Sequence, residues 1–530
     1  MKDLIGKLAD MGILASPEAV YLLSSHTDPM GIVRDILAGR GELLILEEND
    51  VNEAVTSRKE LDSKVSESLE TEGIPVPIIR SSTLHGHVEQ GDGETISISR
   101  PLIPFRGLDN YRPIAAEYSE DIEITGDISG KSWCEGKITD FTKYFHDRLS
   151  RLRTIIKTKP EMMHALPIDK ARARTGEVAT IGIVSKVNSM EKGVSIEIED
   201  EEESLSLFIS KARNSRLLND IGTILNDEVI GVVGNVRPGR GGRGPSMYPS
   251  AIIRPPLPFR HSPNYGSEEL SVAFVSDLHI GSKTFLQEEW KRVISFLNGK
   301  DPDTRNIASH IKYLVFTGDL VDGIGVYPGH DEDLYITDIF KQYEALADDL
   351  NSIPDHIKVI LCPGNHDSVR KAEPQPALSQ EVQKIFDQDR VYFAGNPVTI
   401  KLHGVRFLTY HGGSMDDIIP AVPGLTYTQP IGAMKEMLKR RHLVPIYGGK
   451  TPVAPEHKDY LLIDEIPDVF VTGHVHTTEI ANYHNILMIN ASTWMAQTAY
   501  QKMRDFIPDP AKLPVVRLDT LKPSLIQFAE

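Results

Sequence analysis

Cysteine is almost missing from this sequence. Cys134 and Cys362 are the only two among 530 residues, which excludes a disulfide framework and a thiolate zinc site and leaves oxygen and imidazole as the available metal ligands. Long apolar runs are missing too: no stretch approaches the ~18 consecutive residues of a membrane span, and Met1–Lys7 is charged too early for a signal peptide. The expectation is a cytoplasmic protein with no membrane partner. Positive charge is in short supply, with 57 Lys and Arg against 75 Asp and Glu and a formal net charge of -18. Any contact with nucleic acid must therefore come from local basic patches rather than from a global field.

What is present is ample apolar material, 40% of the residues, on a chain too long for one core, so two or three domains are expected. Ser16-Pro17 and Asp28-Pro29 each pair a capping residue with a proline suited to a first helical turn, and Ile32, Val33, Ile36 and Leu37 follow at helical spacing. Residues 1–52 read as a helical module, either independent or a cap on the main body. Residues 53–100, rich in Ser, Glu, Lys and Gly without periodicity, read as a flexible linker. Ile138, Phe141, Phe145, Leu149, Leu152 and Ile156 mark one face of a helix. Short alternating strands follow around Ile181, Ile196, Leu207 and Val229–Val236, the pattern of a small antiparallel barrel. The commonest such barrel is the oligonucleotide-binding (OB) type, assigned to residues 101–265. Its Arg237–Gly244 loop carries three arginines on a glycine-rich tip, which reads either as a phosphate-tracking element or as a solvated hairpin. From residue 266 to 530 strands alternate with helical stretches, so this half is α/β.

Within that half one pattern recurs five times: an apolar strand that stops at a residue able to bind a metal ion. Val272–Val275 leads to Asp277 and His279, Tyr313–Phe316 to Asp319, and Val359–Cys362 to Asn365, His366 and Asp367. Phe407–Tyr410 leads to His411, and Val469–Val471 to His474 and His476. Polar groups at the ends of buried strands are held rigidly and still meet water. Four imidazoles, two Asp and one amide suit two divalent ions, manganese first, with iron, zinc or magnesium as alternatives. Such a pair supplies a hydroxide and clamps a phosphate, so the expected reaction is phosphoester hydrolysis. His85, His87, His310, His330, His403 and His442 have no strand-end context and receive no chemistry.

In order and spacing, the five motifs resemble those of the calcineurin-like metallophosphoesterases, which implies a two-sheet α/β sandwich. The resemblance implies one metal held by Asp277, His279, Asp319 and His476, and a second by Asp319, Asn365, His411 and His474. It places a general acid at His366 and implies that Asp367 orients it. The stretches Gly323–His330, Arg440–Pro452 and Thr493–Thr498 are similar to the small subunits of the archaeal family D DNA polymerases. That similarity implies a proofreading 3′-5′ exonuclease beside a large catalytic subunit, acting on single-stranded or primer-template DNA, with a sliding clamp as a further candidate partner. The rival expectations are a phosphoesterase of small or protein substrates and a scaffold without hydrolytic activity.

Overall fold

In the computed structural model the described residues are 112–530, apart from 212–216, 218–220, 240–243, 259–260, 504 and 530, together with 14–24, 33, 45–46, 74 and 76–80. Most of the expected linker, the rest of the N-terminal helices and the arginine tip at 240–243 lie outside them. The chain separates into two compact units, 1–72 and 73–530. In the first, Ser16 Oγ accepts from Ala19 N at 3.1 Å and Pro17 opens the helix Pro17–Ser24, as a cap followed by proline dictates. Strands β1 (Leu14–Ala15) and β2 (Ile45–Leu46) pair in parallel.

The second unit holds β3 (Ile78–Arg80), β4 (Ile122–Thr125) and a closed barrel. The barrel consists of β5 (Gly176–Met190), β6 (Gly193–Glu199), β7 (Ser204–Ser210), β8 (Val229–Arg237) and β9 (Ser246–Ile253), in the order β5-β6-β7-β9-β8. Alternate residues, among them Ile196, Ile198, Leu205, Leu207, Val232 and Met247, fill its interior. The barrel strand absent from the sequence reading is β9. Pro249 cannot donate to a ladder, and it sits where the β8–β9 register shifts, the bulge position in which proline is tolerated. The helix Ile138–Ile156 lies on the barrel through Leu149, Leu152 and Ile156. Its expected first contact, Ile138, is 85% exposed at the helix start.

The remainder is built on two mixed sheets. One has the order β13-β12-β11-β10-β19-β20-β3 and contains β10 (Ser271–Val275), β11 (Ile311–Thr317), β12 (Lys358–Cys362), β13 (Val391–Phe393), β19 (Lys512–Arg517) and β20 (Pro523–Gln527). The other, β17-β18-β16-β15-β14-β4, contains β14 (Val398–Leu402), β15 (Val405–Thr409), β16 (Val469–Thr472), β17 (Glu479–Tyr483) and β18 (Ile486–Asn490). Strand alternation divides the side chains. Val272 and Phe274 face the second sheet, where the Phe274 and Phe407 rings lie 5.7 Å apart, while Ala273 and Val275 face helices Gln287–Leu297 and Ile339–Asn351. Burial on both faces explains why these strands read as unbroken apolar runs.

Two boundaries differ from those expected. β3, inside the expected linker, extends the first sheet by pairing with β20, and β4, inside the expected barrel segment, extends the second by pairing with β14. Their pairing partners lie too far along the chain to leave a local pattern. Barrel and sheets are joined by buried charge. Arg148 Nε lies 2.9 Å from Asp459, which also meets His442 Nε2 at 2.8 Å, and Arg440 pairs with Glu228 and Glu436.

Candidate metal centre

The parallel strands β10, β11, β12, β15 and β16 end at one edge of the two sheets, and the turns beyond them bring the predicted ligands together. Asp277 lies 3.3 Å from His476 Nε2 and 3.9 Å from His279 Nε2. Asp319 Oδ2 lies 3.7 Å from His279 Nε2 and 3.3 Å from His411 Nε2, and Asn365 Oδ1 is 2.9 Å from the same His411 nitrogen. The His411 and His474 rings are 5.1 Å apart. The seven residues therefore form one cluster with Asp319 at its middle.

The backbone is strained to make it. Asp277, His279 and Asp319 have φ of 51°, His474 of 72° and His476 of 54°, the left-handed region that costs a non-glycine residue about 1 kcal/mol or more. Close approach also demands glycine: a Cβ on Gly473 would collide with Ser276 Oγ, and one on Gly364 with Asp319 Oδ1.

Hydrogen bonds set the tautomers. His279 Nδ1 donates to Asp322 Oδ1 at 3.0 Å and His411 Nδ1 to the Thr317 carbonyl at 3.1 Å, turning both Nε2 atoms toward the carboxylates. Burial works against ionisation of Asp277 and Asp319, yet His476 beside the first and His411 beside the second hold both well below the usual carboxylate range. Burial holds His279 below its ordinary value, so it is neutral and its Nε2 carries a lone pair. That atom is buried without any hydrogen-bond partner, and Asp277 Oδ1 has only the His476 imidazole, 3.3 Å away, beside it. An orphaned buried group costs roughly 1–3 kcal/mol. Against burial, the Asp319 charge lifts His411 to about 10, and two carboxylates among imidazole nitrogens form a donor set that a divalent cation satisfies by displacing such a proton.

His366 stands at the rim, its ring edge-on to His279 with centroids 4.6 Å apart. Its Nδ1 donates to the Asp322 carbonyl at 2.8 Å. Burial opposes its protonation, but the charges of Asp319 and Asp322 lift it to about 9. Asp367 does not orient it. The Asp367 carboxylate instead accepts from Gly364 N, Leu320 N and Tyr343 Oη at 2.8–3.1 Å, tying the turn after β12 to the turn after β11. Burial, and then the Asp319 charge, push Asp367 up to about 7.

The orienting group is Asp322, which the sequence reading passed over. It also lies 3.3 Å from His330 Nε2. His330, given no chemistry on sequence grounds, is 1% exposed, and its Nδ1 accepts from Val326 N at 3.2 Å. An acid three residues after Asp319 was the one visible signal for this pair. Asp416, 3.6 Å from His474 Nε2, and Gln501, 3.0 Å from His476 Nδ1, had none.

Two sheets whose strand ends gather carboxylates and imidazoles, beside a closed barrel, define a multidomain α/β protein with a candidate metal centre, and comparison gives its class. Residues 272–480 match the family of the B subunits of DNA polymerases alpha and epsilon. The chain is 43% identical over 415 residues to the DNA polymerase II small subunit of Methanocaldococcus jannaschii, covering 76% of this chain and 68% of that one. It is 41% identical to the one of Archaeoglobus fulgidus, covering 75% and 78%, and 33% identical to the one of Methanothermobacter thermautotrophicus, covering 100% of both. The chain belongs to the DNA polymerase II small-subunit family. Among the described residues no helix is long and apolar enough to cross a membrane.

Proposed function

We propose that this chain is the 3′-5′ exonuclease subunit of a replicative DNA polymerase, hydrolysing phosphodiester bonds at a dinuclear metal site, with the large catalytic subunit as its partner. In this reading the two sheets are a calcineurin-like phosphoesterase and the closed barrel is an OB domain. The observation that carries it is the convergence of buried ligand atoms, Asp277 with His279 and His476 and Asp277 with Asp319 and His411, each group within 4.8 Å, with His279 Nε2 left without a hydrogen-bond partner. Structure alone gives no reason to bury them so.

Asp277, His279, Asp319 and His476 would hold one ion and Asp319, Asn365, His411 and His474 the other, with manganese suited to this mixture of imidazole and oxygen. When bound, the ions supply a hydroxide nucleophile and charge stabilisation for in-line displacement. The remaining steps belong to side chains. Asp322 fixes the His279 tautomer, and its carbonyl fixes His366 so that Nε2 carries the mobile proton. From the rim His366 delivers that proton to the departing sugar oxygen.

The test is cleavage of a 5′-labelled single-stranded oligonucleotide by the full-length protein. The expected result is stepwise shortening from the 3′ end, abolished by chelator and restored by manganese. Cleavage that continues in chelator refutes the metal site. Hydrolysis of p-nitrophenyl phosphate but not DNA would favour a small-molecule phosphoesterase, and no hydrolysis of either would favour a scaffold.

A further inference from the structure

Beside His474 and His476 opens a cavity of about 460 Å³, within the range of small-ligand sites. Two aromatic rings, Tyr427 and Phe506, line it, with Lys450 and the carboxylates of Asp416 and Asp505. Each aromatic residue is tied to one of the two histidines, Tyr427 through its side chain and Phe506 through its backbone. Tyr427 hydrogen-bonds Asp416, whose Oδ2 is 3.6 Å from His474 Nε2. Phe506 N donates to the carbonyl of Gln501 at 2.9 Å, Gln497 Nε2 donates to the Phe506 carbonyl at 2.7 Å, and the Gln501 amide meets His476 Nδ1 at 3.0 Å.

We propose that this cavity seats the 3′-terminal nucleobase of the strand being degraded, stacked against Tyr427 or Phe506. The inference rests on the exonuclease reading and adds to it the position of the end nucleotide. A phosphate at the metal cluster leaves its nucleoside one bond away, and the cavity opens at that point. Asp416 and Asp505 repel a second phosphate from a space that already faces one, whereas a neutral base with polar edges suits aromatic walls flanked by Lys450 and carboxylates. Stacking is indifferent to base identity, as a nuclease that removes any nucleotide requires. Asp416 and Gln501 are positioning residues here: they fix the walls relative to the ligands.

The experiment compares two fluorescent oligonucleotides that differ only in the 3′-terminal nucleotide, one with a normal base and one abasic. Binding to the full-length protein is read by anisotropy in chelator, so that no cleavage occurs, and single-turnover cleavage is then read in manganese. The expected result is roughly 5- to 150-fold weaker binding of the abasic end by the unaltered protein, the size of one stacked base. Tyr427→Ala and Phe506→Ala together erase that preference by weakening only the normal substrate, and Tyr427→Phe with Phe506→Tyr restores it. A preference that survives the double alanine variant, or equal weakening on both ends, overturns the proposal. Absence of cleavage in manganese alongside an intact binding preference would instead count against the hydrolytic reading and leave the base seat standing.

Discussion

Replacing His366 with alanine isolates one interaction. The side chain contributes a hydrogen bond from Nδ1 to the Asp322 carbonyl and an edge contact with His279. Its backbone N–H, which donates to Asp319 Oδ1 at 2.8 Å, remains, so the carboxylate at the middle of the cluster keeps its anchor. Asp322 likewise keeps His279 and His330. The stability cost is therefore about 1–3 kcal/mol, one hydrogen bond plus the attraction of Asp319 and Asp322 to a ring they lift, against burial, to about 9. The kinetic cost is larger: loss of a general acid slows reactions by ~10²–10⁴, or ~3–5 kcal/mol of barrier. Single-turnover cleavage, metal content by mass spectrometry and melting temperature, all measured on one preparation of His366→Ala, should show a nearly inactive protein with both metals bound and a small drop in melting temperature. Normal cleavage by the fully metallated variant would refute the role, and a collapse in melting temperature would reassign His366 to the core.

Because Asp319 lies between the two ligand groups, Asp319→Asn should deplete both metals whereas His279→Ala depletes chiefly one; the opposite order of metal content would contradict the bridging role. Burial, then the Arg148 charge, hold His442 down to about 4, against the opposing pull of Asp459. A depressed folded value means this stability is complete above the unfolded value near 6.5 and is lost as pH falls toward 4, on the order of 3 kcal/mol. His442→Gln should accordingly flatten the pH dependence of melting in that window, and an unchanged slope would remove His442 as the cause. Deleting residues 1–72 should leave cleavage and melting unchanged, whereas deleting 1–99 also removes β3, with the partly buried Ile79 beneath it, and should cost about 1 kcal/mol; equal melting of the two truncations would show that the edge strand adds nothing.

The strands that position the centre were legible because each is an unbroken apolar run ending at an Asp, Asn or His, a pattern carried by adjacent residues. Asp322 and His330 were not: they act across a turn that has no period, and they touch the cluster through imidazole nitrogens rather than through sequence spacing. Asp367 sits next to the proposed acid in sequence, yet its carboxylate points into the two turns, so adjacency suggested the wrong partner. β3, β4 and β9 escaped for related reasons. The first two are edges added from far away in the chain, and Pro249 hides the third.

The left-handed backbone at Asp277, His279, Asp319, His474 and His476 bears on how such a protein can drift. At about 1 kcal/mol each, these five conformations consume on the order of 5 kcal/mol, a large share of the 5–15 kcal/mol that keeps a domain folded. Glycine at any of them would relieve that strain. Each such glycine would also remove a side chain from the cluster, so relief of the backbone and loss of the centre come together. A chain that carries all five conformations holds that strain in the very turns that gather the cluster.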